Sequence, residues 1–117
     1  MKNEKNIIDE LLSEIPEFIS SYEKIKNEYD VIPIYIVFSE LARFFIFNFE
    51  KKNEKILEKI QIYLEKLAKM KEKSISELVS FGFLENLAQS ENHEEIKKKL
   101  RPNQKKELEK IDKFFDV

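Results

Sequence analysis

The chain is poor in the residues that most small enzymes and sheet proteins rely on. Its 117 residues include no cysteine, no tryptophan, one glycine, one histidine and three prolines. Without cysteine it can form no disulfide, thiolate metal site or cysteine nucleophile. The single histidine, His93, lacks the partners that a nucleophilic triad or a histidine-based zinc site needs. Scarce glycine and proline argue against a sheet with many turns and favour long helices with few connections.

Motifs with a known chemistry are missing as well. The sequence has no glycine-rich phosphate loop, no HExxH and no GxSxG. A site made of carboxylates alone stays open, because a buried carboxyl such as Glu40 can act as a general acid. However, Arg43 lies three residues further on and would hold Glu40 in a buried polar pair that fixes the helix register. The alternative is that the two side chains face a ligand or a partner protein. We therefore expect a protein that is not an enzyme and has no catalytic residue, cofactor or metal.

One long stretch, Val31–Glu50 (VIPIYIVFSELARFFIFNFE), is apolar on all sides. Such a segment aggregates unless other segments enclose it. Four polar residues interrupt it: Ser39, Glu40, Arg43 and Asn48. We predict that it forms the central helix of the protein, at about residues 33–50, and that the other helices surround it.

Two other structures are conceivable for this stretch. Its β-branched and aromatic residues favour strands, but its polar residues do not alternate and no turn residue separates its two apolar runs. It is also nearly long enough to span a bilayer, but Glu40 and Arg43 would each cost roughly 2.5–3.5 kcal/mol at the centre of a membrane. The flanking segments are helical in pattern, so we predict a helix and no association with a membrane.

The flanking segments have apolar residues at helical spacing. The clearest pattern runs from Glu54 to Lys71 and should form an antiparallel hairpin with the central helix. Pro16 and Pro102 suit the first turns of two further helices. The sequence therefore predicts an all-α protein, a single compact bundle of six to seven helices that forms one domain over residues 1–117.

A second strongly apolar segment follows the sequence SISE at 74–77, which is typical of a capping box at the start of a helix. Gly82 lies inside this helix, where glycine costs about 1 kcal/mol relative to alanine. We infer that another backbone, such as that of the central helix, approaches Gly82 closely. Asn86, on the rim of the same helix, either bridges a neighbouring segment or is a surface residue.

Charge is divided unevenly along the chain. Residues 1–50 hold ten acids and five bases, a net charge of −5, whereas residues 51–117 hold 13 acids and 16 bases, a net charge of +3. The acidic half is either a solvated helix surface or a surface that attracts a basic partner over a long range. In the second case the candidate partner-binding residues are Asp9, Glu10, Glu14, Glu17, Glu23, Glu28 and Asp30.

The basic residues of the C-terminal part do not form a clear nucleic-acid site. Acids are interspersed among them and no aromatic side chains interleave, as base stacking would need. We expect a solvated charged face that binds no nucleic acid, made of Lys97, Lys98, Lys99, Arg101, Lys105 and Lys106.

Four motifs occur in order along roughly residues 11–110: IPEF at 15–18, IPIYIVFSELARF at 32–44, ELVSFGFLENL at 77–87 and LRP at 100–102. Together they resemble a family of small all-helical bacterial proteins of unknown function, with I/L-P-E-F, E-L-x-R-F and S-F-L-E-N-L motifs. Here Gly82 is an extra residue within the third motif.

The resemblance implies a small intracellular bacterial protein without established catalytic residues. Such proteins can be encoded beside polymorphic toxins, which implies an immunity protein that neutralises a cognate toxin by direct binding. A toxin domain with a basic surface would suit the acids of the first two helices. The alternative is a helical scaffold or regulatory protein that acts as a homodimer. The N-terminal residues are too acidic for a signal peptide, so we expect the protein in the cytoplasm.

Overall fold

A computed structural model describes residues 4–115 of the chain. These residues are largely helical and include no strand, which confirms the predicted all-α bundle of six to seven helices. Two of the seven helices are composite: one begins with a 3-10 turn, and another contains a π-helical turn. The helices are α1 (Glu4–Glu14), α2 (Pro16–Phe18 and Ile19–Glu28), α3 (Ile34–Glu50), α4 (Glu54–Ala68), α5 (Lys73–Glu77, Leu78–Leu84 and Glu85–Ala88), α6 (His93–Lys99) and α7 (Pro102–Phe115).

Helix α3 is the predicted central helix and packs against α2, α4 and α5. It begins directly after Pro33, whose extended backbone precedes the first helical residue. Aromatic contacts join it to three neighbours: Phe44 to Phe18 of α2, Phe38 to Tyr63 of α4 and Phe45 to Phe83 of α5. No helix within residues 4–115 has the length and apolarity that crossing a membrane would require.

The α3–α4 hairpin contains the one buried polar residue of the central stretch. Asn48 donates a hydrogen bond to the Phe44 carbonyl at 2.8 Å, and its side-chain oxygen accepts one from Asn53 at 3.3 Å. Between the helices, Lys52 has a φ of 59°, which reverses the chain. Asn48 is therefore buried with its amide satisfied, as burial of a polar group requires.

Helix α5 begins two residues earlier than the SISE motif predicts, since a capping box with Ser74 as N-cap would make Ile75 the first helical residue. Its first helical residue is Lys73, and Glu72 before it makes no side-chain capping bond. The predicted capping box is therefore wrong. The cause is the short connection after α4, in which Lys71 has a φ of 54° and the chain re-enters helix at once.

Tyr63 links α4 to α1 through a buried hydrogen bond. Its hydroxyl donates to the Ile7 carbonyl at 2.9 Å, and its side chain is completely buried. Burial, with a smaller contribution from the negative charge of Glu14, raises the pKa of Tyr63 well above its ordinary value. The hydroxyl is therefore neutral in the folded chain at pH values that would ionise a free tyrosine.

Replacing Tyr63 with phenylalanine should flatten the loss of stability at alkaline pH. The ordinary tyrosine pKa is about 10, so above it the unfolded chain ionises while folded Tyr63 stays neutral. The stability that this residue contributes is complete below pH ~10 and declines above it, by up to about 1.4 kcal/mol per pH unit. Denaturant unfolding from about pH 8 to about pH 11 measures the slope of the free energy of unfolding against pH for the natural chain and for the Tyr63→Phe variant. Identical slopes for the two proteins would contradict this account of Tyr63.

Candidate interaction surface

One side of α3 is open to solvent. Neighbouring helices cover the other sides, where Leu41 and Phe45 are fully buried. Four residues spaced by four, three and four positions run along the open side, and we call them the α3 stripe: Ile36, Glu40, Arg43 and Phe47. Phe47 is 56 % exposed, which is unusual for so large an apolar side chain.

Glu40 and Arg43 form an ion pair, but at the surface. Arg43 Nη1 donates to Glu40 Oε2 at 2.8 Å, and the side chains are 67 % and 31 % exposed respectively. The prediction of a pair is confirmed and the prediction that it is buried is wrong, because no helix within residues 4–115 covers this side of α3. An exposed pair of this spacing contributes only about 0.3–0.5 kcal/mol. It is therefore too weak to fix the register of the helix.

The contact between α3 and α5 is very close at Gly82. A Cβ atom added to Gly82 would lie 2.9 Å from Phe38 Cβ and 3.6 Å from Tyr35 Cδ1. The inference that the central helix approaches Gly82 is thus confirmed. Gly82 lies in the π-helical part of α5, Leu78–Leu84. Phe81, the residue before it, is 57 % exposed, so Phe81 and Tyr35 both border this contact at the surface.

A small cluster of polar groups connects α3 and α5 by hydrogen bonds at the same contact. The Asn86 side-chain nitrogen donates to the Gly82 carbonyl at 2.8 Å and to Ser39 Oγ at 3.2 Å. Ser39 Oγ also lies 3.5 Å from the Gly82 carbonyl. Asn86 therefore bridges to a neighbouring segment, the first of the two alternatives that the sequence left open. The sequence did not indicate this role of Ser39, because its hydrogen-bond partners are more than 40 residues away along the chain.

The seven acids predicted to bind a partner do not form one free surface. Glu14 pairs with Lys66 at 2.6 Å and Glu17 pairs with Lys59 at 2.8 Å, so both carboxylates bind α4. The hydrogen bond from Lys59 lowers the pKa of Glu17. Glu10 also interacts within the chain.

The other four acids have no ion pair within residues 4–115: Asp9, Glu23, Glu28 and Asp30. All four are exposed. Two of them alternate with exposed apolar residues in the 28–31 segment, which comprises the last residue of α2 and the start of its connection to α3: Glu28, Tyr29, Asp30 and Val31. A role of the acids in partner binding stays a prediction, and these four carry the charge that is free for it.

One group of side chains near the C-terminus has the composition of a metal site. Ligand atoms of His93, Glu94 and Asp112 all lie within 4.8 Å of one another. However, Lys97 Nζ lies 2.6 Å from Asp112 and 3.6 Å from Glu94. The hydrogen bond to Asp112 raises the pKa of Lys97, which keeps the ammonium charged. Lys97 thus already neutralises these carboxylates, and a metal ion would have to displace it.

The basic residues of the C-terminal part are largely paired with acids. Lys99 contacts Glu54 at 2.9 Å, and Arg101 contacts Glu65 at 2.8 Å. These pairs dock the α6–α7 connection on α4. In these pairs the acids also neutralise basic side chains that could otherwise bind nucleic-acid phosphates.

The described residues thus form a small all-α bundle with an open stripe on its central helix and a cluster of unpaired acids next to it in the chain. The model of the family described as Domain of unknown function (DUF7674) matches residues 8–116. The chain therefore belongs to this family. Comparison with curated proteins and with solved structures gives no match.

Proposed function

We propose that this chain is a cytoplasmic protein-binding module rather than an enzyme, and that it is an immunity protein that neutralises a cognate toxin by direct binding. The observation that carries the proposal is the 28–31 segment. It exposes a tyrosine and a valine, the latter 84 % exposed, between two unpaired carboxylates. Apolar anchors surrounded by charge are typical of surfaces that bind proteins.

The charge of the segment indicates what kind of partner it fits. Glu28 and Asp30 have no basic partner within residues 4–115, and Glu23 on α2 is also unpaired. The N-terminal half of the chain has a net charge of −5. A basic protein surface, such as that of a toxin that acts on nucleic acid, would be steered to this region and would bind faster at low ionic strength.

Reversing the two charges of the segment, Glu28→Lys with Asp30→Lys, should weaken binding of the protein encoded by the neighbouring gene. We expect a dissociation constant about 10–100-fold higher, mainly through slower association, because two attractive contacts become repulsive. Calorimetry and stopped-flow binding at low and high salt measure this, and growth of cells that express the neighbouring gene measures protection.

The matched control is Glu91→Lys with Glu109→Lys, which changes the net charge equally at two exposed acids elsewhere. It should bind and protect like the unmodified protein, apart from a small loss of long-range steering. If the segment variant binds as tightly as this control, the 28–31 segment is not the contact surface.

A second candidate function is a scaffold or regulatory protein that acts as a homodimer. The α3 stripe favours it, since Arg43 and Phe47 of the stripe are exposed and Ile36 and Glu40 are half-buried.

A further inference from the structure

We propose that the α3 stripe is a self-complementary contact through which two copies of this chain pair, with their α3 helices antiparallel. The proposal does not depend on the identity of a toxin. It rests on the positions 36, 40, 43 and 47, whose spacing of four, three and four is that of the a and d seam of a coiled coil. Residues at this spacing stay in line along the helix and can all face one partner helix.

The order of side chains in the stripe is the reason for choosing a second copy as the occupant. In a two-fold symmetric contact, residue i meets residue j of the partner while j meets i. If the two-fold axis passes between positions 41 and 42, position 40 meets 43 and position 36 meets 47. Glu40 then faces Arg43 of the partner subunit, and Ile36 faces Phe47 of the partner subunit. Every member of the stripe thus meets a chemically suitable member.

The charges also select the direction of the partner helix. A parallel pair in register would place Glu40 against Glu40 and Arg43 against Arg43, and like charges that face each other are unfavourable. The antiparallel pair replaces both repulsions with attractions. It therefore gives four alternating charges at the centre of the contact and apolar side chains at both ends.

The ion pair within each copy does not compete with this contact. Arg43 uses Nη1 to bind Glu40, and a guanidinium has five N–H donors in a planar fork. It can therefore keep its own Glu40 and bind Glu40 of the partner subunit as well. Burial of Phe47 should contribute most to the stability of the dimer, because this side chain is 56 % exposed in the single chain. The two-fold symmetry buries the Phe47 side chain of both copies.

Charge exchange at positions 40 and 43 tests the proposal on the full chain. Sedimentation equilibrium over a range of concentrations should show the mass of the natural chain rise from 14.1 kDa towards twice that value. Glu40→Arg alone and Arg43→Glu alone should each raise the dimer dissociation constant by ~100-fold, because each places like charges against one another in two symmetric contacts. A natural chain that stays at the monomer mass throughout would overturn the proposal.

Two combinations of these substitutions should restore the dimer, which makes the test specific. An equimolar mixture of Glu40→Arg and Arg43→Glu should form a heterodimer, since two positive positions then face two negative ones. The double variant with both substitutions should form a homodimer again, since it exchanges the two charges and keeps their complementarity. Singles that associate like the natural chain, or a double variant that stays monomeric, would each contradict the antiparallel seam.

Phe47 offers a matched control for the apolar part of the contact. Phe47→Ala should weaken the dimer ~10-fold or more, since the lost apolar contact occurs twice. Phe81→Ala removes a ring that is equally exposed, at 57 %, but lies on α5 outside the stripe. It should change dimer affinity by less than about threefold. Equal losses in the two variants would show that general surface apolarity, and not the stripe, drives association. Circular dichroism of each variant checks that the helices are intact.

Discussion

Replacing Phe45 with alanine should lower the free energy of unfolding by about 3–5 kcal/mol. Phe45 lies on the core side of α3 with none of its surface exposed, and its ring meets the ring of Phe83 edge-on, with centroids 5.8 Å apart. Truncation removes this contact and leaves a cavity between α3 and α5 that the surrounding helices can close only in part. Urea unfolding of both proteins, fitted with a common slope, measures the loss.

The control for this substitution lies two residues further along the same helix. Phe47→Ala should change the free energy of unfolding of the single chain by no more than about 0.5 kcal/mol, because its ring already contacts water. The nearby Lys51 ammonium, 5.6 Å from the ring centroid, adds little at an exposed site. Similar losses in the two variants would mean that α3 is rotated relative to the bundle. A small loss for Phe47→Ala would also show that its effect on dimer affinity reflects contact between copies.

The position of the central helix could be predicted from the sequence, whereas its open side could not. The length of the apolar stretch and the proline near its start, Pro33, indicate a helix at 33–50, and α3 spans Ile34–Glu50. However, the run FFIFNF places phenylalanine on several sides of the helix. Such a pattern does not indicate which side of the helix faces the core. The packing of α2, α4 and α5 determines that side.

Glu40 and Arg43 show how this ambiguity misleads. As the only charges before the last residue of an apolar helix, they suggested a buried pair. In the structure they lie on the side of α3 that is open to solvent. The cost of burying charges explains the outcome, since a charged pair without further hydrogen bonds is more stable at the surface. Isolated charges in an apolar helix of a small bundle therefore indicate the side of the helix that faces solvent.

The acids of the first two helices illustrate a second limit. Charge counts show that they are in excess, but they cannot show that Glu14 and Glu17 bind lysines of α4. Those contacts join residues more than 40 positions apart and depend on how α1 and α2 pack on α4. The free acids of the 28–31 segment therefore emerged from the structure, although the sequence had included both among its candidates.

The third limit concerns α5. The extra residue Gly82 in the motif SFGFLENL lies within the π-helical turn Leu78–Leu84. A π turn closes its hydrogen bonds from i to i+5 and so takes up one residue more than an α turn. The sequence correctly indicated a close approach at this glycine. It gave no sign of the π turn, because periodicity over so short a segment does not distinguish the two helix types.

Gly82→Ala should lower the free energy of unfolding by about 1–3 kcal/mol. Helix propensity alone predicts the opposite sign, a gain of up to about 1 kcal/mol. Sterics decide the outcome, because the new Cβ would lie 2.9 Å from Phe38 Cβ, an atom fixed to the backbone of α3. The two helices would have to separate, and the bonds from Asn86 to the Gly82 carbonyl and to Ser39 would lengthen.

Ser80→Ala, in the same π-helical turn, is the matched control for this substitution. Ser80 is only partly buried, and alanine there adds no atom, so its stability should change by no more than about 0.5 kcal/mol. Thermal and denaturant unfolding of the two variants separate the effects. A Gly82→Ala chain more stable than the natural one would show that helix propensity outweighs the steric contact and that α5 can move away from α3 at little cost. A loss confined to Gly82→Ala would show that the close approach of α5 to α3 limits which residues the π turn accepts.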